Sequence, residues 1–337
     1  MPRARAGEAA LVSAPAPQTL LKLVSQVNPE TRKRWSALGK ALVTLTLLVV
    51  TIRLVETDTL VDRFRQADPL PLAASALLLI AGGFAGAASW FCVLRSRVSP
   101  LAFRDVAASH WIGMFFNSFL PTNFGGDVVK GYRLARAQGQ AGFVVVSLLI
   151  DRAVNLCALG VIGLVALLLQ PGRREWLVAL AVALAALLTA ASLGANRLRT
   201  RIARWPRTPR RAHVAELLDP VLALAAAPRR LVPLLLAAGA SQILKTWQTV
   251  FVIRALGLDI PALCAWSVVP LFGFVSALPI SIGGLGVREA VAHHLAAPLG
   301  MDNTHLVAFS LAGHAMVVLV NMLGVIPFLF ARRKRAA

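Results

Sequence analysis

The chain has 337 residues, of which 57% are hydrophobic and 15% charged, and its mean hydropathy is +0.70. A soluble domain of this length does not carry that balance, so the composition excludes a water-soluble globular enzyme and makes the bilayer the natural solvent. The net charge of +20 alone would suit nucleic acid, but the basic residues sit in short clusters between apolar runs, as in loops facing anionic lipid, and no nucleic-acid partner is expected.

Residues 1–37 hold Arg3, Arg5, Arg32, Lys33 and Arg34 among several Pro and Ala, without a compact apolar stretch followed by a cleavage site. They are expected to form a basic cytoplasmic tail, with Thr19 to Val27 either on the membrane surface or disordered. Residues 38–330 form one transmembrane domain, and 331–337, with Arg332, Arg333, Lys334 and Arg335, a second basic cytoplasmic tail.

Crossing the hydrocarbon core as a helix takes about 20 apolar residues. Six runs qualify: Leu38 to Val55, Leu70 to Leu94, Gly142 to Leu169, Trp176 to Gly194, Leu231 to Ile253 and His305 to Phe330. In the second of these, Gly82, Gly83, Gly86 and Ala87 form a small-residue packing face.

Val106 to Leu120 and Leu263 to Ile280 are shorter, and each leads into Pro and then Gly-Gly. Either both span, giving eight helices, or each enters and leaves by one face as a re-entrant hairpin, giving six full spans and two hairpins. The stretch Asn196 to Arg211 holds seven Arg and no acid, which marks it as cytoplasmic. Only the hairpins put that loop on the same side as Arg95, Arg97, Arg104, Lys130, Arg133, Arg136 and the C-terminal basic run, with the acidic loop of Glu56, Asp58, Asp62 and Asp68 opposite; Arg173 and Arg174 are discordant. The expected fold is therefore an all-α polytopic membrane protein of six spans plus two re-entrant hairpins.

The two short segments are related. Phe116, Ser118, Leu120, Pro121, Gly125, Gly126, Val129 and Lys130 pair in register with Phe274, Ser276, Leu278, Pro279, Gly283, Gly284, Val287 and Arg288. Motifs at 116–130 and 274–288, separated by three spans, define an inverted repeat, the pattern of secondary transporters that hold substrate at the midplane beside interrupted helices. Pro121 or Pro279 should end a half-helix, Gly125-Gly126 or Gly283-Gly284 should make the sharp turn, and a second half-helix should start inside the membrane. Its free N–H groups attract an anion, and Lys130 or Arg288 one turn in adds a formal charge. The competing account is a tight packing turn only, which Asp127 favours for the first copy because a carboxylate there can cap its own helix.

Asp151 and Arg152 lie well inside the third run, with Asn155 one turn beyond Asp151 on the same face. Ionisable groups at that depth are costly and face a partner or a wet cavity, and the two, being adjacent, should have separate partners. Cys92, Cys157 and Cys264 have neither metal-ligand nor disulfide spacing and serve packing. In the fifth run Gln242, Lys245, Gln248 and Thr249 form a polar stripe, with Lys245 a cavity-lining cation or a helix-helix hydrogen-bond donor. Glu289, His293 and His294 follow the second Gly-Gly without a third ligand nearby, so no metal is expected, and His314 and Asn321 are satisfied polar groups.

The runs FFNSFLPTNFGGDVVKGYRLAR at Phe115 to Arg136, Asp151-Arg152 and LPISIGGLGVREA at Leu278 to Ala290 resemble the lysylphosphatidylglycerol synthase transmembrane-region family, also called flippase-like. The resemblance covers roughly residues 40 to 330. In the family's multiple peptide resistance factors this region moves aminoacylated lipid between leaflets, and a separate C-terminal domain makes it. That resemblance implies a translocator of a phospholipid or polyprenyl-linked lipid in the bacterial inner membrane, multi-pass with both termini cytoplasmic. The aminoacyl-transfer domain is expected to be absent and synthase activity is not inherited.

The head-group site so implied draws on Pro121, Asn123, Gly125, Gly126, Asp127, Lys130, Asp151, Arg152, Asn155, Lys245, Pro279, Gly283, Gly284, Arg288 and Glu289. Its ligand is an anionic or zwitterionic membrane lipid, and no cofactor is expected. The alternatives are a membrane enzyme acting on a lipid head group, for which no catalytic motif is found, and a non-transporting accessory subunit. The lipid, the direction, the energy source and the oligomeric state are not readable from the sequence.

Overall fold

The structure, a computed structural model, describes residues 65–120, 125–169, scattered helical positions within 175–200, residues 228–258, 260–277 and 303–336. The run Leu38 to Val55, the N-terminal tail, the arginine-rich loop, Pro121, Asn123 and the second motif from Leu278 onward, with Pro279, Gly283, Gly284, Arg288 and Glu289, lie outside the described residues. Among the described residues the chain is all helix: α1 (Pro69–Leu94), α2 (Phe103–Asn117), α3 (Gly125–Gln138), α4 (Ala141–Leu168), α5 (Pro228–Ala255), α6 (Ala262–Ala277), α7 (Asn303–Asn321) and α8 (Val325–Ala336). A single 3-10 turn, Met322–Gly324, joins the last two. Three stretches, Pro69–Leu94, Ala141–Leu168 and Ser310–Phe330, are long and apolar enough to cross a bilayer, so the chain is a polytopic helical membrane protein.

α1 begins where Asp68 accepts from the Leu70 N–H (2.9 Å) and Pro69 occupies the first turn, where a missing N–H costs nothing. It runs antiparallel to α5, tied at one end by Asp68 N–H to the Ala255 carbonyl (2.8 Å) and mid-way by Ser241 Oγ to the Gly82 carbonyl (2.9 Å). The small-residue face makes this possible: Gly82 faces Ser241 and Leu244 of α5, while Gly83 and Gly86 leave room for Trp111 and His110 of α2. α5 is long enough to span, but its polar stripe keeps it out of the strictly apolar set, which a helix flanked by α1, α4, α6 and α7 tolerates.

α2 and α3 have 15 and 14 residues. At about 1.5 Å per residue each is near 22 Å, short of the roughly 30 Å hydrocarbon core. They form a helical hairpin. Its two outer ends meet the end of α1 and the start of α4 in one cluster of Trp90, Leu94, Val106, Leu134, Phe143 and Val144, so α4 departs from the side at which α2 began. Gly139, at φ 70°, makes the reversal from α3 into α4.

The Gly-Gly pair works differently from the expectation. Gly125 and Gly126 are the first residues of α3, and among the described glycines only Gly139 and Gly257 have positive φ. Their missing side chains permit contact instead: Gly126 lies against the Gly113 carbonyl and Asn117, and Gly125 against Leu120. α2 also stops at Asn117, four residues short of Pro121.

The bundle is apolar outside and polar inside. Leu77, Phe84, Leu149, Val165, Leu236 and Phe330 are exposed, whereas Ser89, Lys130, Ser147, Asp151, Gln242 and Gln248 are buried. That arrangement suits a hydrocarbon solvent, where outward apolar side chains cost nothing and polar groups must find partners within the protein.

Candidate functional site

Four helices bring their polar residues to one point. α3 supplies Asp127 and Lys130 one turn apart, so that Lys130 Nζ meets Asp127 Oδ1 at 3.0 Å. α4 supplies Asp151 and Arg152; Arg152 donates to Asp127 Oδ2 (2.8 Å), and Asp151 Oδ2 lies 3.9 Å from Lys130 Nζ. The sequence expectation of separate partners holds at first contact, yet the chain Arg152–Asp127–Lys130–Asp151 makes one network of two acids and two bases.

Neutral groups complete it. Ser89 Oγ from α1 donates to Asp151 Oδ1 (2.8 Å), and Asn155 Nδ2 donates to the same oxygen (3.1 Å) and to the Asp151 carbonyl (2.8 Å). Gln242 from α5 donates to Asn155 Oδ1 (2.8 Å). The Lys130 ammonium sits 4.9 Å from the Trp90 ring centroid, and the indole is held by donating to Ser147 Oγ (2.9 Å). Lys130 and Asp151 are each 6% exposed, so this is a pairing of interior charges rather than a solvated surface bridge.

The start of α3 is closed by another residue than the one expected. Gly126 N–H donates to Asn117 Oδ1 (2.7 Å), while Asp127 turns its carboxylate to Lys130 and Arg152 instead of capping its own helix. At this helix start one N–H group and the Lys130 ammonium thus already have partners from within the chain.

Beside the network lies a cavity of about 430 Å³, bounded by the α2 end with Asn117 to Leu120, by α5, α6 and α7, and by Leu79 and Leu159. Gln242 belongs to both the network and the cavity wall, and Asn117 joins that wall to the start of α3. Lys245, Gln248 and Thr249 of α5 face Ser310, His314 and Asn321 of α7 across it, and Val269, Phe272, Val317 and Val318 make its apolar part.

Lys245 stands apart from the other sequence-selected residues: no described side chain forms an ion pair or hydrogen bond with its ammonium. The charges of Asp151 and Lys130 act on it from nearby. Asn321 donates to Ser118 Oγ (3.0 Å) but has a buried Oδ1 without a described partner. It is thus half satisfied, against the expectation of a fully paired polar group.

Sequence reasoning missed Asn117, Ser89 and Trp90. Asn117 stands inside the first motif, and an amide eight residues before a helix start was the available signal. Ser89 and Trp90 carried no local signal, since their partners are about sixty positions away.

The fold and the interior ion network define a polytopic α-helical membrane protein with a polar, partly open centre. The chain belongs to the family of lysylphosphatidylglycerol synthase transmembrane regions, whose pattern matches residues 37–324, and so to the membrane proteins of lipid metabolism or transport. No curated protein and no solved structure matches it.

Proposed function

We propose that the protein is a lipid translocator that moves a phospholipid or a polyprenyl-linked lipid between leaflets, without catalytic chemistry of its own. The observation that carries this reading is the amphipathic cavity: about 430 Å³, polar on α5 and part of α7, apolar on α6 and the rest of α7, and directly adjoining a buried ion network at the centre of a helical bundle. Transport sites are built in this way from interrupted helices that meet near the midplane. In this reading the α2–α3 hairpin is re-entrant and opens on the cytoplasmic side, its second copy is inverted around the motif at 274–288, and both termini are cytoplasmic in a bacterial inner membrane.

The network is the moving part. Asp151, Lys130, Asp127 and Arg152 come from two helices that pack on different neighbours, so their pairings can change as the hairpin shifts against α4. Reconstituted vesicles containing a fluorescent phospholipid, with the outer leaflet bleached by dithionite, test the proposal. Wild-type protein is expected to expose the inner-leaflet pool, and Asp151→Asn and Arg152→Gln to lose most of that activity while remaining monodisperse. Absence of scrambling by the wild-type protein with every phospholipid and polyprenyl lipid tried would overturn the reading.

A further inference from the structure

Charge balance separates Lys245 from its neighbours. Among the described residues near the centre, Asp127 and Asp151 cancel Lys130 and Arg152, whereas the Lys245 ammonium lines the cavity without a described hydrogen-bond or ion-pair partner. An interior cation without an ion-pair partner among the described residues is a place where a bound anion can supply one. Hydrogen-bonding groups line the cavity with it: Gln248 and Thr249 on its own helix and Ser310 and His314 across the cavity.

We infer that the cavity is an anion site in which Lys245 holds the phosphate of a membrane lipid, and that this, rather than the helix start at the first Gly-Gly, is where the head group sits. The inference rests on the translocator reading and names its binding residue. Size supports it, because about 430 Å³ accommodates a phosphate and a small head group but not two acyl chains, which must lie along the apolar wall and beyond it. The shared chemistry is a phosphate monoanion, and Phe272, Val269 and Val317 in the same cavity favour its lipid form over a free ion.

Gly313 provides a control that leaves every charge in place. It lines the cavity, and a Cβ added there meets no atom within 4 Å, so Gly313→Phe starts from an open position and adds bulk at the cavity wall.

The full chain, delipidated in neutral detergent and titrated in native mass spectrometry with phosphatidylglycerol, diacylglycerol and inorganic phosphate, tests the assignment. Phosphatidylglycerol is expected to bind the wild type, to bind Lys245→Gln about tenfold more weakly through loss of a charge-assisted contact, and to be restored to near wild-type affinity in Lys245→Arg. Gly313→Phe should lose the same binding with unchanged helicity, and diacylglycerol should bind all forms alike. Equal retention of phosphatidylglycerol by wild type, Lys245→Gln and Gly313→Phe overturns the site. Full competition by millimolar inorganic phosphate overturns the lipid assignment in favour of a soluble anion. Recovery of a destabilised Lys245→Gln by Glu289→Gln would show an internal ion pair and overturn it also.

The same variants in the scrambling assay keep the two readings apart. Lys245-dependent binding without wild-type scrambling upholds the site and removes translocation, whereas equal scrambling and equal binding in Lys245→Gln and wild type leaves translocation standing without this site.

Discussion

Asp127 is the residue on which the central charges converge, since its two carboxylate oxygens meet Lys130 and Arg152 separately. Removing one partner from a fully buried pair costs about 3–5 kcal/mol, and the partial exposure of Asp127 and Arg152 lowers this to about 1–3 kcal/mol. Asp127→Asn is therefore expected to lower the thermal midpoint in detergent more than Lys130→Gln does. In a double-mutant cycle, Asp127→Asn with Arg152→Gln should cost less than the sum of the single changes. Additive losses would mean that the two groups are not coupled. The sequence marked Asp127, Lys130, Asp151 and Arg152 as out of place in an apolar chain, because a charge there is conspicuous whatever surrounds it. It could not say that Arg152 answers Asp127, since that pairing depends on how α3 lies against α4.

At the scale of the helix, the α2–α3 hairpin depends on the absence of side chains where the two helices cross. A Cβ on Gly126 would run into the Gly113 carbonyl, so Gly126→Ala must push the helices apart or bend one of them, at a cost of about 1–3 kcal/mol for overpacking. Gly239 on α5 is the contrast: a Cβ there meets nothing within 4 Å, and Gly239→Ala should stabilise by about 0.5–1 kcal/mol through helix propensity. Opposite shifts of the thermal midpoint are the expected outcome, and a neutral Gly126→Ala would show that the crossing is looser than described. The helices themselves were legible as apolar runs, and Val106 to Leu120 as a shorter run leading into Pro and Gly-Gly. The role of the glycines was not, because a close approach and a left-handed turn call for the same residue and differ only in φ.

For the whole molecule, the side on which the hairpin opens follows from the cluster that gathers its two ends with the end of α1 and the start of α4. Arg104 and Arg136 are exposed near those ends. In a variant with Cys92, Cys157 and Cys264 replaced by alanine, Arg104→Cys and Arg136→Cys should both resist a membrane-impermeant maleimide in intact cells and both react after permeabilisation. Reaction of one from outside and the other from inside would reject the hairpin as a re-entrant element. Composition and hydropathy sufficed for the class of molecule, and the paired motifs for its family. The cavity had no sequence signature, because it arises where the end of α2 and the facing sides of α5, α6 and α7 fail to fill the space between them.

The tip of the hairpin and the end of α7 are joined across that space by the Asn321–Ser118 hydrogen bond, with Gly324 seated against the Trp111 carbonyl just beyond it. One such bond contributes on the order of 1 kcal/mol net, which corresponds to about a fivefold change in any equilibrium that breaks it. Ser118 and Asn321 both line the cavity, so binding there and this clasp are thermodynamically reciprocal. A guest that touches both walls tightens the clasp by the same factor by which the clasp tightens the guest. Loosening the clasp therefore shortens the guest's residence without altering a single atom that the guest touches.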